Sequence, residues 1–413
     1  MTRLDRFLDR LERIPLVHLV LGALLVRVAW ILACPNAPYS DQSVYHYQAE
    51  MLAQGRGYID LDGNPTNFYP VGYPALLGAS YAVFGTRYVV AYGLNLVLAV
   101  VAITGAYRLG ETLFGARAGK LAALLVAVHP TFILLTTAMA SENPFCAALP
   151  WALWLLVRLS SEPRQLRAPW LAPAAGVAVA LMTYVRPPAL LLLSCPAVFG
   201  LLARKPVRAR TRQWVTDSLV VGLVVFAVLA PWGLRNKRDF DRFSLTSFNA
   251  GINLYLGNSP GSNGEWKEEI PLETEDLPQP KSDLVFGKLA REYIVTHPGR
   301  YVALSFNRLF HTMRSDTIAP VWDRVGITRR FGKRAIVPLK VVCTLFHWAL
   351  LFGLAATLWR AGRKHLTVAD WQLAWVAALT AAPFILIVGG NRYMLPLMML
   401  VCVWTASVAR PRS

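Results

Sequence analysis

Five ionisable side chains stand where apolar runs end: Asp41 in YSDQSVYHYQAE, Glu142 in AMASENPF, Arg186 in YVRPPAL, Arg235 in PWGLRN and Arg392 in GGNRYMLP. A carboxylate can take the proton of an attacking hydroxyl or amine. A guanidinium presents a planar fork of donors that pairs well with phosphate. Two acids with several arginines therefore suit chemistry on an anionic lipid, provided the fold gathers them. Each also has an ordinary explanation. Asp41 would cap a helix that begins at Gln42, Glu142 would mark a span boundary, and Arg392 would snorkel from the end of its span. Arg27, inside the first apolar run, would pair with a neighbouring helix, and the lone His46 and His129 read as structural residues. No metal ligand set and no cofactor are expected from these residues.

The elements that must position them are membrane spans. The 413 residues are 55% hydrophobic and only 16% charged, whereas soluble domains are about a quarter charged. Such a chain needs a non-aqueous solvent. The formal net charge of +18 does not point to nucleic acid, because Lys and Arg form no stripe or tail; they cluster between apolar runs.

The first run, Ile14 to Ala33, is long enough as a helix at about 1.5 Å per residue to cross a core of about 30 Å. A signal peptide is disfavoured, since the run is long for one and no A-x-A-like cleavage site follows. Further runs lie at 88–109, 121–140, 144–159, 169–184, 187–203, 215–234, 336–359, 371–388 and 393–409. About ten spans are thus expected, the pair around Arg186 being readable as one re-entrant feature. With Arg3, Arg6, Arg10 and Arg13 on the cytosolic side, alternation puts Arg108–Lys120, Arg158–Arg167, Arg204–Arg212 and Arg360–His365 on that side too. All are short and basic, as the positive-inside rule requires, and both termini are expected to be cytosolic.

The same alternation sends two longer segments, 34–87 and 235–335, to the opposite face. Neither reads as a separate domain, so residues 1–413 form one membrane domain with interfacial helices in its outer loops. YPVGYPALLGASYAVFG is amphipathic and aromatic enough to lie in the interface, and REYIVTHPGRYVALSFNRLFHTM reads as a helix returning to the membrane surface. The five cysteines sit in or beside spans and imply no disulfide framework. No CxxC, HExxH or phosphate-loop motif occurs. All five ionisable residues named above then fall at the outer ends of odd-numbered spans. Charge at that depth is costly unless it faces a polar cavity, so one shared outer site is expected.

At these residues the sequence resembles the GT-C type membrane glycosyltransferases, in the group of bacterial aminoarabinose transferase and the protein O-mannosyltransferases. The features that carry the resemblance are SDQSVYHYQAEMLAQGRGY, PVGYPALLGASYAVFG, SENPF, RPPALLLL, PWGLRNKRDFDRFSLTSFNAGINLYLGNSPGSNGEW and NRYMLPL. Their order and common side are more telling than any one of them. The resemblance implies an all-α polytopic fold and inverting transfer of a sugar from a polyprenyl-phosphate donor to a lipid, glycan or protein acceptor. It implies that Asp41 is the general base, that Glu142 and Tyr45 position acceptor or sugar, and that Arg392, with Arg235 and Arg186, binds the donor phosphate. Many relatives have Asp followed by Glu; here Gln42 follows Asp41, which puts in doubt any role of a second acid, including metal binding. The expected location is a bacterial inner (plasma) membrane with the site on its extracytosolic face. The rival reading is a transporter or flippase for a lipid-linked or anionic substrate, which would share the spans and intramembrane arginines.

Overall fold

The computed structural model describes residues 3–162, 167–203, 207–265, 277–362 and 366–410, and for 207–211 the backbone alone. The expected Arg158–Arg167, Arg204–Arg212 and Arg360–His365 segments fall partly outside the described residues. In chain order the helices are α1 Arg3–Arg13, α2 Leu16–Ala33, α3 Asp41–Ala53, α4 Gly72–Phe84, α5 Tyr88–Phe114, α6 Ala116–Val128, α7 Pro130–Leu134, α8 Glu142–Ser161, α9 Leu171–Val185 and α10 Cys195–Leu202. They continue with α11 Val207–Phe240, α12 Ala250–Asn258, α13 Lys281–Thr296, α14 Pro298–Met313, α15 Ile318–Trp322, α16 Arg324–Phe331, α17 Ile336–Ala361, α18 Val368–Leu386 and α19 Leu395–Thr405. Among the described residues, pairing outside helices is limited to the isolated bridges Ile59–Pro65 and Glu265–Gly389.

Among the described residues, seven helices are long and apolar enough to cross a membrane: Leu16–Ala33, Tyr88–Phe114, Glu142–Ser161, Arg212–Phe240, Lys333–Ala361, Val368–Leu386 and Asn391–Ala409. Two shorter apolar segments, Leu171–Val185 and Pro187–Leu202, flank Arg186. The pair Ala116–Val128 and Pro130–Thr137, bent by 58°, is long and apolar enough only when its two helices are taken together, as a broken span or a re-entrant loop. The chain is a multi-pass, all-α membrane protein, and every apolar run of the sequence has become helix.

The bend has a local cause. Pro130 lacks the N–H that would continue the ladder and sits in the first turn of α7. The break orphans carbonyls in the last turn of α6, inside apolar surroundings where water is scarce. Arg27 of α2 meets them: its Nη1 donates to Ala127 O at 2.9 Å and to Ala23 O at 3.2 Å, and its Nη2 to Val126 O at 3.4 Å. The expectation that Arg27 pairs with a neighbouring helix is met by backbone acceptors rather than by an acid.

Close helix packing relies on small residues, as is general where lipid supplies no hydrophobic drive between helices. A Cβ on Gly105 of α5 would lie 2.7 Å from the Trp151 ring of α8, and one on Gly119 of α6 would lie 2.7 Å from Tyr107 O of α5. One end of this bundle is tied by ion pairs. Arg117 bridges Asp9 and Glu12 of α1, Arg167 grips Asp217 with two bonds of 2.6 Å, and Arg410 bonds Asp370, the N3 acid of the α18 capping box. The opposite end carries the candidate site.

Candidate active site

Asp41 is the first residue of α3, a short helix that packs on α4 over the ends of the spans. Ser40, before it, has φ 53° and ψ −136°, a region that costs a non-glycine residue about 1–3 kcal/mol. The Asp41 side chain makes no capping hydrogen bond, because α3 starts at Asp41 itself with Ser40 as N-cap. Capping is therefore not what this carboxylate does. Its Oδ1 accepts from the Tyr69 hydroxyl at 2.9 Å, and its Oδ2 accepts from Arg392 Nη1 at 2.6 Å.

Arg392 lies in the 3-10 turn Asn391–Met394 that opens the last span. Its Nε is 3.7 Å from Glu142 Oε1 and has no hydrogen-bond partner. Glu142 opens α8, and the same Oε1 accepts from Arg186 Nη1 at 2.6 Å. The Glu142 side chain is 1% exposed, against 21% for Asp41 and 28% for Arg392. Four of the five residues expected at the outer span ends thus form one alternating chain, Asp41, Arg392, Glu142, Arg186. The ring of Tyr393 faces both guanidinium groups, at 5.3 Å from that of Arg392 and 5.7 Å from that of Arg186.

Arg235 sits elsewhere. Its Nε pairs with Asp239 at 2.7 Å, and its amino groups donate to Thr66 O at 2.9 Å and Tyr58 O at 3.1 Å. It reaches the cluster through protein: the Tyr58 hydroxyl donates to Tyr69 O at 2.9 Å, and Tyr69 holds Asp41. Tyr45 is buried in α3, edge-on to Tyr69 and Tyr73 with centroids 5.2 and 5.4 Å away. Burial first, and then the Asp41 charge, push both the Tyr45 and Tyr69 phenols above their usual range. Tyr69 consequently remains a hydrogen-bond donor to the carboxylate.

Gln42 shows why a neutral residue fits beside Asp41. It is buried; its Nε2 donates to Trp322 O at 3.1 Å while its Oε1 accepts from Met139 N at 3.0 Å. A carboxylate could serve only the second of these partners. Among the described residues no three of His, Cys, Asp and Glu are grouped so as to hold a metal ion. The cation that Asp41 and Glu142 share is the Arg392 guanidinium.

His46 bonds the Tyr81 hydroxyl at 2.9 Å, and His129 lies between the rings of Phe132 and Phe346. Sequence reading missed Arg308, which is fully buried beside the site. Its Nε donates to Ile385 O at 2.6 Å, its Nη1 to Gly257 O and Asn258 Oδ1 at 2.8 Å each, and its Nη2 to Ser305 Oγ at 2.8 Å. A Cβ on Gly389 would lie 2.8 Å from Arg308 Cα, and one on Gly257 would collide with Ile387 O. These two glycines let the 257–265 segment close on α14 and α18, and Gly389 N donates to Gly264 O at 2.9 Å. That seam ends three residues before Arg392. Also missed was Asp316, whose carboxylate accepts from Thr131 and which burial pushes up to about 7.

No curated protein matches the sequence. Among solved structures, the chain is similar to the Archaeoglobus fulgidus oligosaccharyltransferase complex with Zn and sulfate, at 17% identity and TM-score 0.57 over 94% of this chain and 48% of that one. It is similar to the same organism's oligosaccharyltransferase AglB in complex with an inhibitory peptide and a dolichol-phosphate, at 16% identity and TM-score 0.55 over 95% and 50%. ArnT from Cupriavidus metallidurans bound to undecaprenyl phosphate aligns at 16% identity and TM-score 0.47 over 95% and 76%. The chain spans about half the length of the archaeal structures it matches. Residues 69–233, a stretch reaching from Tyr69 to the foot of Arg235, match the family described as dolichyl-phosphate-mannose-protein mannosyltransferase, and the chain shares the fold of the archaeal oligosaccharyltransferase.

Proposed function

We propose that this protein is an integral-membrane glycosyltransferase that moves a sugar from a polyprenyl-phosphate donor to a lipid, glycan or protein acceptor on the extracytosolic face, with inversion. The observation that carries the reading is the Asp41 carboxylate held against the Arg392 guanidinium at one end of the bundle. A proton acceptor and a phosphate partner stand side by side there. The partial family match and the fold support the same class of reaction.

In this reading the acceptor's hydroxyl gives its proton to Asp41 as its oxygen bonds to the anomeric carbon. The bond from that carbon to the phosphate oxygen breaks on the opposite face of the sugar. Its electron pair leaves with the phosphate, where Arg392 meets the developing charge and Arg186 adds positive potential. Preorganised donors aimed at a leaving group act strongly in a site shielded from water. Glu142 holds the two arginines in place, while Tyr45 backs the Tyr69 that orients the base. Arg235 serves the donor at a distance by fixing the 58–69 loop.

The test uses purified full-length protein in detergent with a labelled polyprenyl-phosphate sugar and an extract of cell-envelope lipids, glycans and proteins. Transfer of label to an acceptor, with release of polyprenyl phosphate and without any ion gradient, is expected. Gradient-dependent movement in vesicles with the donor intact would replace the transferase by a transporter.

A further inference from the structure

We propose that the donor phosphate and Asp41 compete for Arg392, so that donor binding itself uncovers the base. The inference rests on the transferase reading above and concerns how that site is switched.

Both oxygens of Asp41 are engaged, one by Tyr69 at 2.9 Å and one by Arg392 at 2.6 Å. Each oxygen keeps a second lone pair, but the ion pair sets the Arg392 cation against Oδ2, where an acceptor's proton would have to arrive. The four charged members of the cluster, two acids and two arginines, sum to zero. A phosphate that binds Arg392 adds negative charge to a cluster whose own two cations are both already paired, so one carboxylate gives up its partner.

The geometry points to Asp41. Glu142 is almost fully buried and bonded to Arg186 at 2.6 Å, and a buried acid stripped of its cation is strongly destabilising. Asp41 is partly exposed, stands at the first position of a helix, and keeps a second partner in Tyr69 when Arg392 leaves. Arg392, for its part, has an Nε without a hydrogen-bond partner, and it remains within 3.7 Å of Glu142 after releasing Asp41 only if it pivots about that acid. Glu142 is thus a positioning residue, the fixed point about which the guanidinium turns from Asp41 to phosphate. Asp41 then has Oδ2 free for the acceptor's proton. The order that follows is donor first, base second, which keeps the site from activating an acceptor or water before a sugar is present.

The experiment measures binding of a short-chain polyprenyl phosphate, carrying no sugar, to detergent-solubilised full-length protein. Asp41→Asn removes the competing charge while keeping the shape, and it is expected to bind the phosphate about tenfold tighter than the parent, as loss of a close charge pair's coupling would give. Tyr69→Phe leaves Arg392 as the sole partner of Asp41 and is expected to bind a fewfold weaker, a second readout should Asp41→Asn fold poorly. Unchanged or weaker binding by a folded Asp41→Asn, or unchanged binding by Tyr69→Phe, would overturn the competition. Arg392→Ala separates this from the parent reading: if its affinity is unchanged, the phosphate assignment itself falls.

Discussion

Arg392 and Arg308 are neighbours through the Gly389 seam, yet they are held in opposite ways. Every nitrogen of Arg308 donates to a neutral oxygen, three of them on the backbone or an amide side chain of other elements. Arg392 has one close bond to a carboxylate, a second carboxylate at 3.7 Å, and an unpartnered Nε. A guanidinium saturated by fixed carbonyls is a fastener, since nothing that enters could offer it more. One that is shared by charged partners and left with a spare donor is exchangeable. Residue type is the same for the two; what differs is burial, complete for Arg308 and partial for Arg392, and above all the chemistry of the acceptors.

Three substitutions probe that contrast. The largest effect is expected at the exchangeable side. Asp41→Asn should cost roughly 10²–10⁴ in sugar transfer, about 3–5 kcal/mol of transition-state stabilisation, with the melting temperature nearly unchanged. A folded Asp41→Asn protein with near-parental turnover would remove the base and leave Glu142 as the next acid to examine. On the fastener side, Arg308→Ala should lower stability by about 3 kcal/mol, because it strands the buried Gly257 carbonyl and the partly buried Ile385 carbonyl. Turnover per folded molecule at low temperature should survive; a selective loss of turnover with intact stability would erase the distinction between the two arginines.

The smallest effect extends the contrast to acids. Asp316 faces a hydroxyl instead of a cation, and its folded pKa is raised to about 7. Between about pH 4 and pH 7 the unfolded chain has lost this proton while the folded one keeps it, so the folded state binds more protons and stability falls as pH rises through that window. Asp316→Asn should abolish this part of the slope and raise stability above pH 7. Thermal melts of both proteins from pH 4 to pH 8 measure it, and parallel curves would show that Asp316 is ionised in the fold.

Much of the fold was legible because lipid imposes one strong rule. Any long apolar run must close its backbone bonds internally, and each run did become helix. Hydropathy was blind to the bend at Pro130, since the missing N–H leaves the apolar run unbroken. The meeting of Asp41, Glu142, Arg186 and Arg392 was legible from alternation alone. Arg235 shared their position in the topology but not their contacts, which depend on a loop path that no pattern fixes. Arg308 was hidden by an inverted amphipathic logic. On α14 the buried stripe is Leu304, Arg308 and Thr312, while Phe306 and Phe310 face outward at 69% and 63% exposure. In water that assignment would be reversed; beside lipid, the aromatic face is the solvated one. Tyr69 reads from the sequence as an aromatic that stacks on sugar, holds the loop or, first of all, anchors at the interface; its bond to Asp41 is visible only in the fold.

The bond between Arg27 and the broken end of α6 bears on how this protein is made. Arg27 alone raises the cost of placing α2 in a bilayer by roughly 3 kcal/mol, and the α6–α7 segment alone carries bared carbonyls at its kink. Each cancels the other's defect through the bonds to Val126 and Ala127. The helix that holds Arg27 is therefore not settled in lipid until about a hundred further residues have been synthesised. Insertion of α2 through α7 is accordingly a cooperative event, in which an earlier helix waits at the membrane's edge for a later one.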